Sequence, residues 1–425
     1  MSLSIYQNKK IFRLSAAAVF LFILASCNKD IPNATPINYK PLNTSSISIG
    51  SIINSDSNYS FFKAAATRVG ALAGLSDSSK VFTVFLPDNN AFITSGITSK
   101  AVIAALPITT IGGIVNYAII PGEQFTSAEV PTTFPNIQLP TAITIGFLPG
   151  TPVPLKLSTF PSKRATGFWD NNIPVTMPDL KFQNGVVHIV AGIVAPPSKL
   201  LRDTLYNNAN LTYFKAAVQR ADSGQTGLKR FDSLLNYAVT NMTVLAPNDA
   251  AFQTLIFGLA FQGYLDFLKS LGLVPNATDS ANAFATATGA VAAGPVFLST
   301  NNITTAQVRG IIAYHFLASP NPVTTAYEPN IRVFSVNFPA TSATPFFVKT
   351  LVNSSFAPHP GIKADATFTT IAPNISIVTD LKFTGLGTFP PGGAPYSGAP
   401  ATAVSKDNHA VNGVFYIIDK VLLPQ

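Results

Sequence analysis

Short apolar runs that end at a proline recur along this chain. Each is followed by a polar residue and then by a stretch in which polar and apolar residues alternate irregularly. Residues 83–86 form one such run, closed by Pro87 and followed by Asp88, and residues 243–246, closed by Pro247, form another. Runs of β-branched and apolar residues of this kind are typical of buried strands. An Asx residue after the proline is typical of a helix N-cap. The pattern therefore predicts a strand, a sharp stop and a helix, twice.

The helix predicted after the second run has one apolar face. Phe252, Leu255, Ile256 and Leu259 follow each other at the 3.6-residue spacing of a helix. Phe92 occupies the position of Phe252 in the first copy. We expect both phenylalanines to be buried as the first anchors of these helices.

A closing segment is also written twice, as NGVVHIVAGIVAP at residues 184–196 and as NGVFYIIDKVLLP at residues 412–424. Each copy starts with a hairpin signal, Asn184-Gly185 and Asn412-Gly413 respectively. Asn and Gly both tolerate positive φ, so these pairs predict tight turns. The run behind the first turn is apolar except for His188, which predicts a strand covered on both faces.

Four pairs of matching segments keep their order along the chain while their separation grows. They are residues 60–68 with 212–220, 82–92 with 242–252, 114–117 with 311–314, and 184–196 with 412–424. The separation rises from 152 to 228 residues, which indicates two homologous domains with insertions in the second. The predicted domains are residues 43–198 and 199–425, with insertions near 257–300 and 353–408.

The start of the chain predicts export and lipid anchoring. Three basic residues precede an apolar run of 12, shorter than the roughly 20 residues that span a bilayer. The run ends in Leu-Ala-Ser-Cys at residues 24–27, which resembles a bacterial lipobox. Residues 1–26 are therefore predicted to be a lipoprotein signal peptide, Cys27 the lipid attachment site, and residues 27–42 a tether. The alternative is an ordinary cysteine in a cleaved secretory signal.

The composition is consistent with an extracellular protein. Charged residues make up 11% of the chain, against about 25% in ordinary soluble proteins. The net charge of +8 is too scattered to form a nucleic-acid-binding face, so we expect no nucleic-acid partner. Because Cys27 is the single cysteine, neither a disulfide nor a catalytic thiol is expected in the mature fold.

Together the repeated segments resemble the fasciclin-like domain family. TVFLPDNNAF at residues 83–92 and TVLAPNDAAF at residues 243–252 are similar to its first conserved box, and the two Asn-Gly-Val segments are similar to its second. Tyr314-His315 is similar to its central Tyr-His pair. The resemblance covers nearly everything from about residue 43 to the end, and three boxes in order, twice over, make it specific.

The resemblance implies an α+β fold, with two tandem fasciclin-like β-wedge domains and packed helices. It also implies adhesion or extracellular binding rather than catalysis. The first copy departs from the family pattern because Ala118 follows Tyr117, and the second because Tyr416 stands where the first has His188. If the Tyr-His pair carries binding in the family, only Tyr314 and His315 can do so here. The alternative for His188 and His315 is a core histidine with satisfied hydrogen bonds.

Candidate chemistry is sparse in this sequence. No two of the four histidines, His188, His315, His359 and His409, have the spacing of metal ligands. No Gly-x-Ser-x-Gly elbow or phosphate-binding glycine loop occurs either. A Ser-His-Asp triad assembles in space and stays open as a distant alternative. We therefore expect no enzyme activity, no metal and no cofactor.

Two aromatic features are candidate binding sites. Trp169, the single tryptophan, stands beside Asp170 and could stack on a glycan, or it could cover the edge of the core. Phe389 and Tyr396 lie in a glycine- and proline-rich stretch, residues 385–400, which predicts a loop. The insertions of the second domain are expected to add loops, and recognition is usually carried by loops on a rigid scaffold. We expect the second domain, with its Tyr-His pair and insertions, to carry most of the binding.

The sequence favours a lipid-anchored cell-envelope protein, on the outer membrane, that binds an extracellular protein or glycan. A carbohydrate-binding accessory of a surface glycan-uptake system and a purely structural envelope protein are the alternatives. Neither the ligand nor the choice between a periplasmic and a surface-exposed face follows from the sequence.

Overall fold

The computed structural model describes residues 46–148, 150–299, 303–340, 345–372, 375–386 and 400–424. The chain divides into two compact units, which are residues 1–196 with 368–377 and residues 197–367 with 378–425. Both contain helices and strands, so the predicted α+β class is confirmed.

The first unit opens with helices α1 (Ile49–Ser55), α2 (Ser60–Arg68) and α3 (Ala71–Ser76). Strand β1 (Phe82–Pro87) is followed by α4 (Asn89–Thr94), α5 (Lys100–Ala105) and α6 (Ile108–Tyr117). Its further strands are β2 (Ile119–Pro121), β3 (Leu139–Phe147), β4 (Pro154–Thr159), β5 (Pro161–Arg164), β6 (Gly167–Asp170), β7 (Ile173–Phe182) and β8 (Gly185–Val190).

The described strands of this unit form a sheet in the order β2-β1-β8-β7-β6-β5, and β3 pairs with β4 separately. The central pair, β1 with β8, is parallel, while β7 and β8 form the antiparallel hairpin predicted at Asn184-Gly185. Every residue of β1 and β8 is buried. The predicted strand covered on both faces is therefore confirmed.

The second repeat begins with helices α7 (Leu201–Tyr206), α8 (Thr212–Ala221) and α9 (Phe231–Leu235). Strand β9 (Met242–Pro247) leads into α10 (Asp249–Ser270), α11 (Ala277–Ala292) and α12 (Thr305–Tyr314). The strands that follow are β10 (Ser319–Pro320), β11 (Tyr327–Glu328), β12 (Phe346–Val348), β13 (Ile362–Ala372), β14 (Ile375–Thr384), β15 (Ala401–Ala410) and β16 (Gly413–Ile418).

The second sheet, in the order β12-β13-β14-β15-β16-β9, repeats the centre of the first. Strands β9 and β16 are parallel, and Met242 lies opposite Gly413 just as Phe82 lies opposite Gly185. Strands β15 and β16 form an antiparallel hairpin, as β7 and β8 do. The sequence repeat is therefore also a structural repeat.

Both proline stops and both helix caps lie where the sequence predicts them. Pro87 and Pro247 are the last residues of β1 and β9. Asp88 Oδ1 accepts a hydrogen bond from the N–H of Ala91 at 2.7 Å, and Asn248 caps its own helix in the same way. Phe92 and Phe252 are buried one turn farther on.

Within the described residues, the insertions of the second repeat form helices and strands rather than the expected loops. Around residues 257–300 the chain forms a helical hairpin, because α10 runs on to Ser270 and α11 packs against it. The second insertion, residues 353–408, holds the long strands β13 and β14 and most of β15. Phe389 and Tyr396 lie outside the described residues. Among the helices of the described ranges, none is both long and apolar enough to cross a membrane.

Candidate functional site

The first repeated Asn-Gly pair ties the hairpin to the helices beside it. Asn184 is buried, and its side-chain oxygen accepts a hydrogen bond from the N–H of Ile49 at 2.8 Å. Its amide nitrogen donates to the carbonyl oxygens of Leu75 at 2.8 Å and Asp77 at 3.1 Å. The side chain therefore joins the start of α1 to the end of α3.

Asn412 makes the same contacts in the second repeat. It accepts a hydrogen bond from the N–H of Leu201 at 2.8 Å and donates to the carbonyls of Leu235 at 2.9 Å and Tyr237 at 3.1 Å. Neither asparagine is among the described residues with positive φ, so the predicted role of Asn as a left-handed turn residue is wrong. The amide is used for its hydrogen bonds.

Both glycines allow a close approach between parallel strands. A Cβ at Gly185 would overlap the carbonyl oxygen of Phe82, and a Cβ at Gly413 would overlap that of Met242. Gly185 also has a φ of 150°, which side chains rarely adopt. The repeated Asn-Gly pair is therefore a structural joint.

A buried threonine on the first strand of each repeat holds the crossing segment. Thr83 Oγ1 donates to the carbonyl of Glu123 and accepts from the N–H of Phe125, both at 2.8 Å. Thr243 Oγ1 donates to the carbonyl of Ile331 at 2.6 Å and accepts from the N–H of Val333 at 2.9 Å. The sequence shows only a threonine inside an apolar run, so this role was not predicted.

An aspartate with positive φ extends this network in each repeat. Asp179, at φ 62°, accepts from the N–H of Ser127 at 2.7 Å. Asp407, at φ 55°, accepts from the N–H and the hydroxyl of Ser335, both at 2.6 Å. Burial raises the pKa of Asp407. Tyr416 lies beside it, with 3.1 Å between its hydroxyl oxygen and Asp407 Oδ1.

His188 takes the place of Tyr416 in the first repeat and is held in its neutral form. Its Nε2 lies 2.9 Å from the carbonyl oxygen of Phe125, and its Nδ1 accepts from the N–H of Asp179 at 3.2 Å. Burial lowers the pKa of this imidazole. These contacts match the alternative of a core histidine with satisfied hydrogen bonds.

Tyr314 and His315, the candidate binding pair, are both completely buried, which corrects their assignment to ligand contact. The Tyr314 hydroxyl donates to the carbonyl of Gly361 at 2.7 Å, and burial raises the pKa of Tyr314 to about 12. His315 Nδ1 lies 2.8 Å from the carbonyl oxygen of Ile311, and its Nε2 accepts from the N–H of Leu422 at 3.0 Å. Both side chains fasten α12 to the later chain.

Burial lowers the pKa of His315 to about 4, and this predicts a pH dependence of stability. Between pH 6.5 and about pH 4 the unfolded chain binds a proton at this residue that the folded chain does not bind. The second repeat should therefore be fully stabilised by neutral His315 above pH 6.5 and lose about 3 kcal/mol as the pH falls toward 4.

Urea unfolding at neutral pH and near pH 4 measures this loss, with His315→Gln as the matched variant. Glutamine can donate and accept hydrogen bonds but does not titrate, so its pH dependence should be shallower. Contributions from other groups, such as the raised pKa of Asp407, are common to both proteins and cancel in the difference. Equal slopes would contradict the assignment to His315.

Trp169 is completely buried in β6, so its proposed stacking on a glycan is wrong and the core alternative holds. Its polar neighbours are also turned inward. Asn171 Oδ1 accepts from the N–H of Phe160 at 3.0 Å, and Asp170 accepts from the hydroxyl of Thr159. Burial raises the pKa of Asp170 to about 7.

The two remaining histidines are structural as well. His359 Nδ1 accepts from the N–H of Gly361 at 3.0 Å, and His409 Nε2 lies 2.8 Å from a guanidinium nitrogen of Arg332. In the part of the chain that the structure describes, no three His, Cys, Asp or Glu side chains come together as metal ligands.

An apolar cavity of about 1020 Å³ opens in the second repeat beside α10, α11 and α12. It is lined by Leu255, Leu259, Ala260, Gly263, Tyr264, Phe267, Thr286, Gly289, Ala290, Ala293, Phe297, Ile303, Ala306, Gln307, Gly310, Ile311, Leu423 and Pro424. A cavity of this size and character is typical of sites for apolar ligands. The candidate functional site is this cavity, and sequence reasoning missed it.

A family model described as the fasciclin domain matches residues 57–196. These residues are a fasciclin domain. Among solved structures, the chain is similar to a FAS1 domain pair from the insect cell adhesion molecule fasciclin I, with 13% identity and a TM-score of 0.31 over 86% of this chain and 96% of that one. No curated protein sequence gives a significant match.

The second repeat resembles this fasciclin domain in its internal contacts. It keeps the parallel strand pair, the Asn-Gly joint and the buried Thr and Asp of the first domain. The fasciclin domain family is associated with adhesion or binding.

The two repeats differ at one equivalent helix position. In the first domain a Cβ on Gly113 would lie 3.1 Å from Cγ of Pro196, so this position is packed. In the second domain a Cβ on Gly310 would meet no described atom within 4 Å, and both Gly310 and Pro424 line the cavity. Glycine inside a helix was the one signal in the sequence that could have indicated the cavity.

Proposed function

We propose that this chain is a non-catalytic cell-envelope lipoprotein that acts in adhesion or extracellular ligand binding, with recognition in its second fasciclin domain. The observation that carries the proposal is uncovered apolar surface on the α10–α11 hairpin. Val274 at its tip is 89% exposed and Phe267, which lines the cavity, is 59% exposed. Leu271 and Leu273 beside them are exposed too. Contiguous exposed apolar surface marks interaction sites.

The buried polar groups support a non-catalytic role. Burial lowers the pKa of His188 and of His315, and each ring accepts a hydrogen bond from a backbone N–H. Asp407 is bound by Ser335. A general acid or base needs access to the proton that it moves. These groups are enclosed in the fold, where they hold segments together.

The anchor is proposed at Cys27, because the apolar run at residues 14–25 ends in a stretch that resembles a lipobox. Cys27→Ser should release the protein from membranes into the soluble fraction, since one residue carries the lipid. Cell fractionation followed by a high-salt wash measures this. A Cys27→Ser protein that stays with washed membranes would place the anchor elsewhere.

The binding role is tested with the whole chain on arrays of matrix proteins and glycans. One variant replaces the hairpin tip (Leu271→Ser, Leu273→Ser, Val274→Ser), and another deletes residues 387–399, which include Phe389 and Tyr396. Val153→Ser, at an exposed apolar position of the first domain, is the matched control.

Binding that both the tip variant and the loop deletion leave intact would contradict recognition in the second domain. Loss in the tip variant alone would assign recognition to the hairpin, and loss in the deletion alone would assign it to the loop. Circular dichroism checks folding in each case. No binding to either array would favour the alternative of a purely structural envelope protein.

A carbohydrate-binding accessory remains a second candidate with weaker support. Its best sequence feature was Trp169, which lies inside the core. Glycan binding that depends on residues 387–399 would support this carbohydrate-binding alternative.

A further inference from the structure

We propose that the cavity of the second fasciclin domain binds a linear, uncharged hydrocarbon chain, such as the acyl chain of a lipid. This inference rests on the proposed function and deepens it, because it names the ligand class of one site in the domain assigned to recognition. Three features of the cavity carry it: the chemistry of its lining, its length along α10 and the glycines that keep it open.

The lining favours an uncharged ligand. Of the 18 described residues that line the cavity, only Tyr264, Thr286 and Gln307 are neither apolar nor glycine, and none of these 18 is charged. A charged group placed among them would lose its hydration without gaining a partner. The volume, about 1020 Å³, lies at the upper end of the range for ligand sites. The cavity is therefore suited to a large, apolar guest.

The shape favours a linear ligand. Helix α10 contributes Leu255, Leu259, Gly263 and Phe267 to the lining, which all lie along one face of the helix. These positions span about 18 Å at the rise of an α-helix. The same face continues to exposed Leu271 at the hairpin tip. A long chain can follow this face throughout, whereas a compact ligand would contact only part of it.

Glycines on all three helices keep the cavity open. Gly263, Gly289 and Gly310 lie inside α10, α11 and α12, where glycine is less stable than alanine. A Cβ at any of them would meet no described atom within 4 Å. Close packing does not require these glycines, yet all three line the cavity. Their common effect is to leave space where a side chain would fill it.

The first experiment measures binding to the whole chain with Cys27→Ser, so that no lipid on Cys27 competes. A fluorescent uncharged polyene is bound and then displaced by octanol, dodecanol or hexadecanol. Each added methylene that enters the cavity should raise the affinity by up to about fourfold. Cyclododecanol, which has as many carbons as dodecanol, should bind more weakly because it cannot follow the length of α10.

The second experiment fills part of the cavity by replacing glycines of its lining with leucine. Gly289→Leu and Gly310→Leu should each weaken dodecanol binding by about tenfold or more, because the new side chain displaces at least two methylenes of the ligand. Both substitutions enter open space, so the fold should persist by circular dichroism. Gly74→Leu in α3 of the first domain, also beside open space, is the matched control and should bind as the parent does.

No displacement by any straight-chain alcohol would overturn the inference, as would affinities independent of chain length or unchanged in Gly289→Leu and Gly310→Leu. Equal binding of cyclododecanol would overturn the linear shape. A dimer in sedimentation that Gly289→Leu abolishes, without alcohol binding, would assign the cavity to a second copy of the chain. If Gly289→Leu and Gly310→Leu still bind to the protein or glycan arrays, the proposed function is retained even when hydrocarbon binding is lost. The proposed function and the hydrocarbon inference can therefore fail separately.

Discussion

Asn412→Ala is expected to lower the free energy of unfolding of the second domain by about 3–5 kcal/mol. The substitution removes the side-chain partner of the Leu201 N–H and a donor to the Leu235 carbonyl. It also removes one donor to the Tyr237 carbonyl, which keeps its hydrogen bonds from Thr240. A buried polar group left without a partner costs about 1–3 kcal/mol, although relaxation and water recover part of this. Urea unfolding of the whole chain measures the loss, and Asn184→Ala should produce the equivalent loss in the first domain.

Asn412→Gly separates the two roles considered for this residue. If Asn412 serves the turn through its backbone, glycine should be tolerated, whereas the hydrogen-bonding role predicts a loss similar to that of alanine. Asn207→Ala is the matched control, because Asn207 is exposed and donates to a carbonyl of its own helix. Its loss should stay within about 0.5 kcal/mol. A small loss in Asn412→Gly would restore the turn interpretation.

Phe92→Ala and Phe252→Ala are each expected to destabilise their own domain by about 3–5 kcal/mol, as for large buried side chains generally. Phe92 packs edge-on against Phe61 with 6.1 Å between ring centroids, and Phe252 stacks with Tyr213 at 6.2 Å. Each substitution removes a fully enclosed ring and leaves a cavity. Calorimetry should show one lowered thermal transition per variant, with the other transition unchanged.

Phe147→Ala is the control for this pair, since its ring is exposed and contributes little burial. A single transition that both buried substitutions lower equally would show that the two domains do not unfold independently.

Features that depend on neighbouring residues were predicted well from the sequence. The strand, the proline stop and the Asx cap lie within about ten residues of one another, and the cap bond joins Asp88 to Ala91. Their energetics are local, so a single sequence contains them. The repeat also identified equivalent positions, such as Asn184 and Asn412, before their contacts were known.

The partners of those positions could not be predicted. Asn184 meets Ile49 across 135 residues and Leu75 across 109. No local pattern distinguishes such an amide from an ordinary turn asparagine. For the same reason the sequence left Trp169 and His315 open between binding and the core and offered Tyr314 as a binding candidate, because burial depends on what the rest of the chain places over a residue.

By itself, the sequence determined that this protein repeats one α+β unit, where its central strands and helix caps lie, and which segments match. Only the tertiary structure decided that the polar residues of those segments hold the fold together and that the first insertion is a helical hairpin beside a cavity. The physical reason is that strands and caps form through local hydrogen bonds and a short hydrophobic period. Burial and empty space, by contrast, depend on side chains from helices such as α10 and α12, which are far apart along the chain.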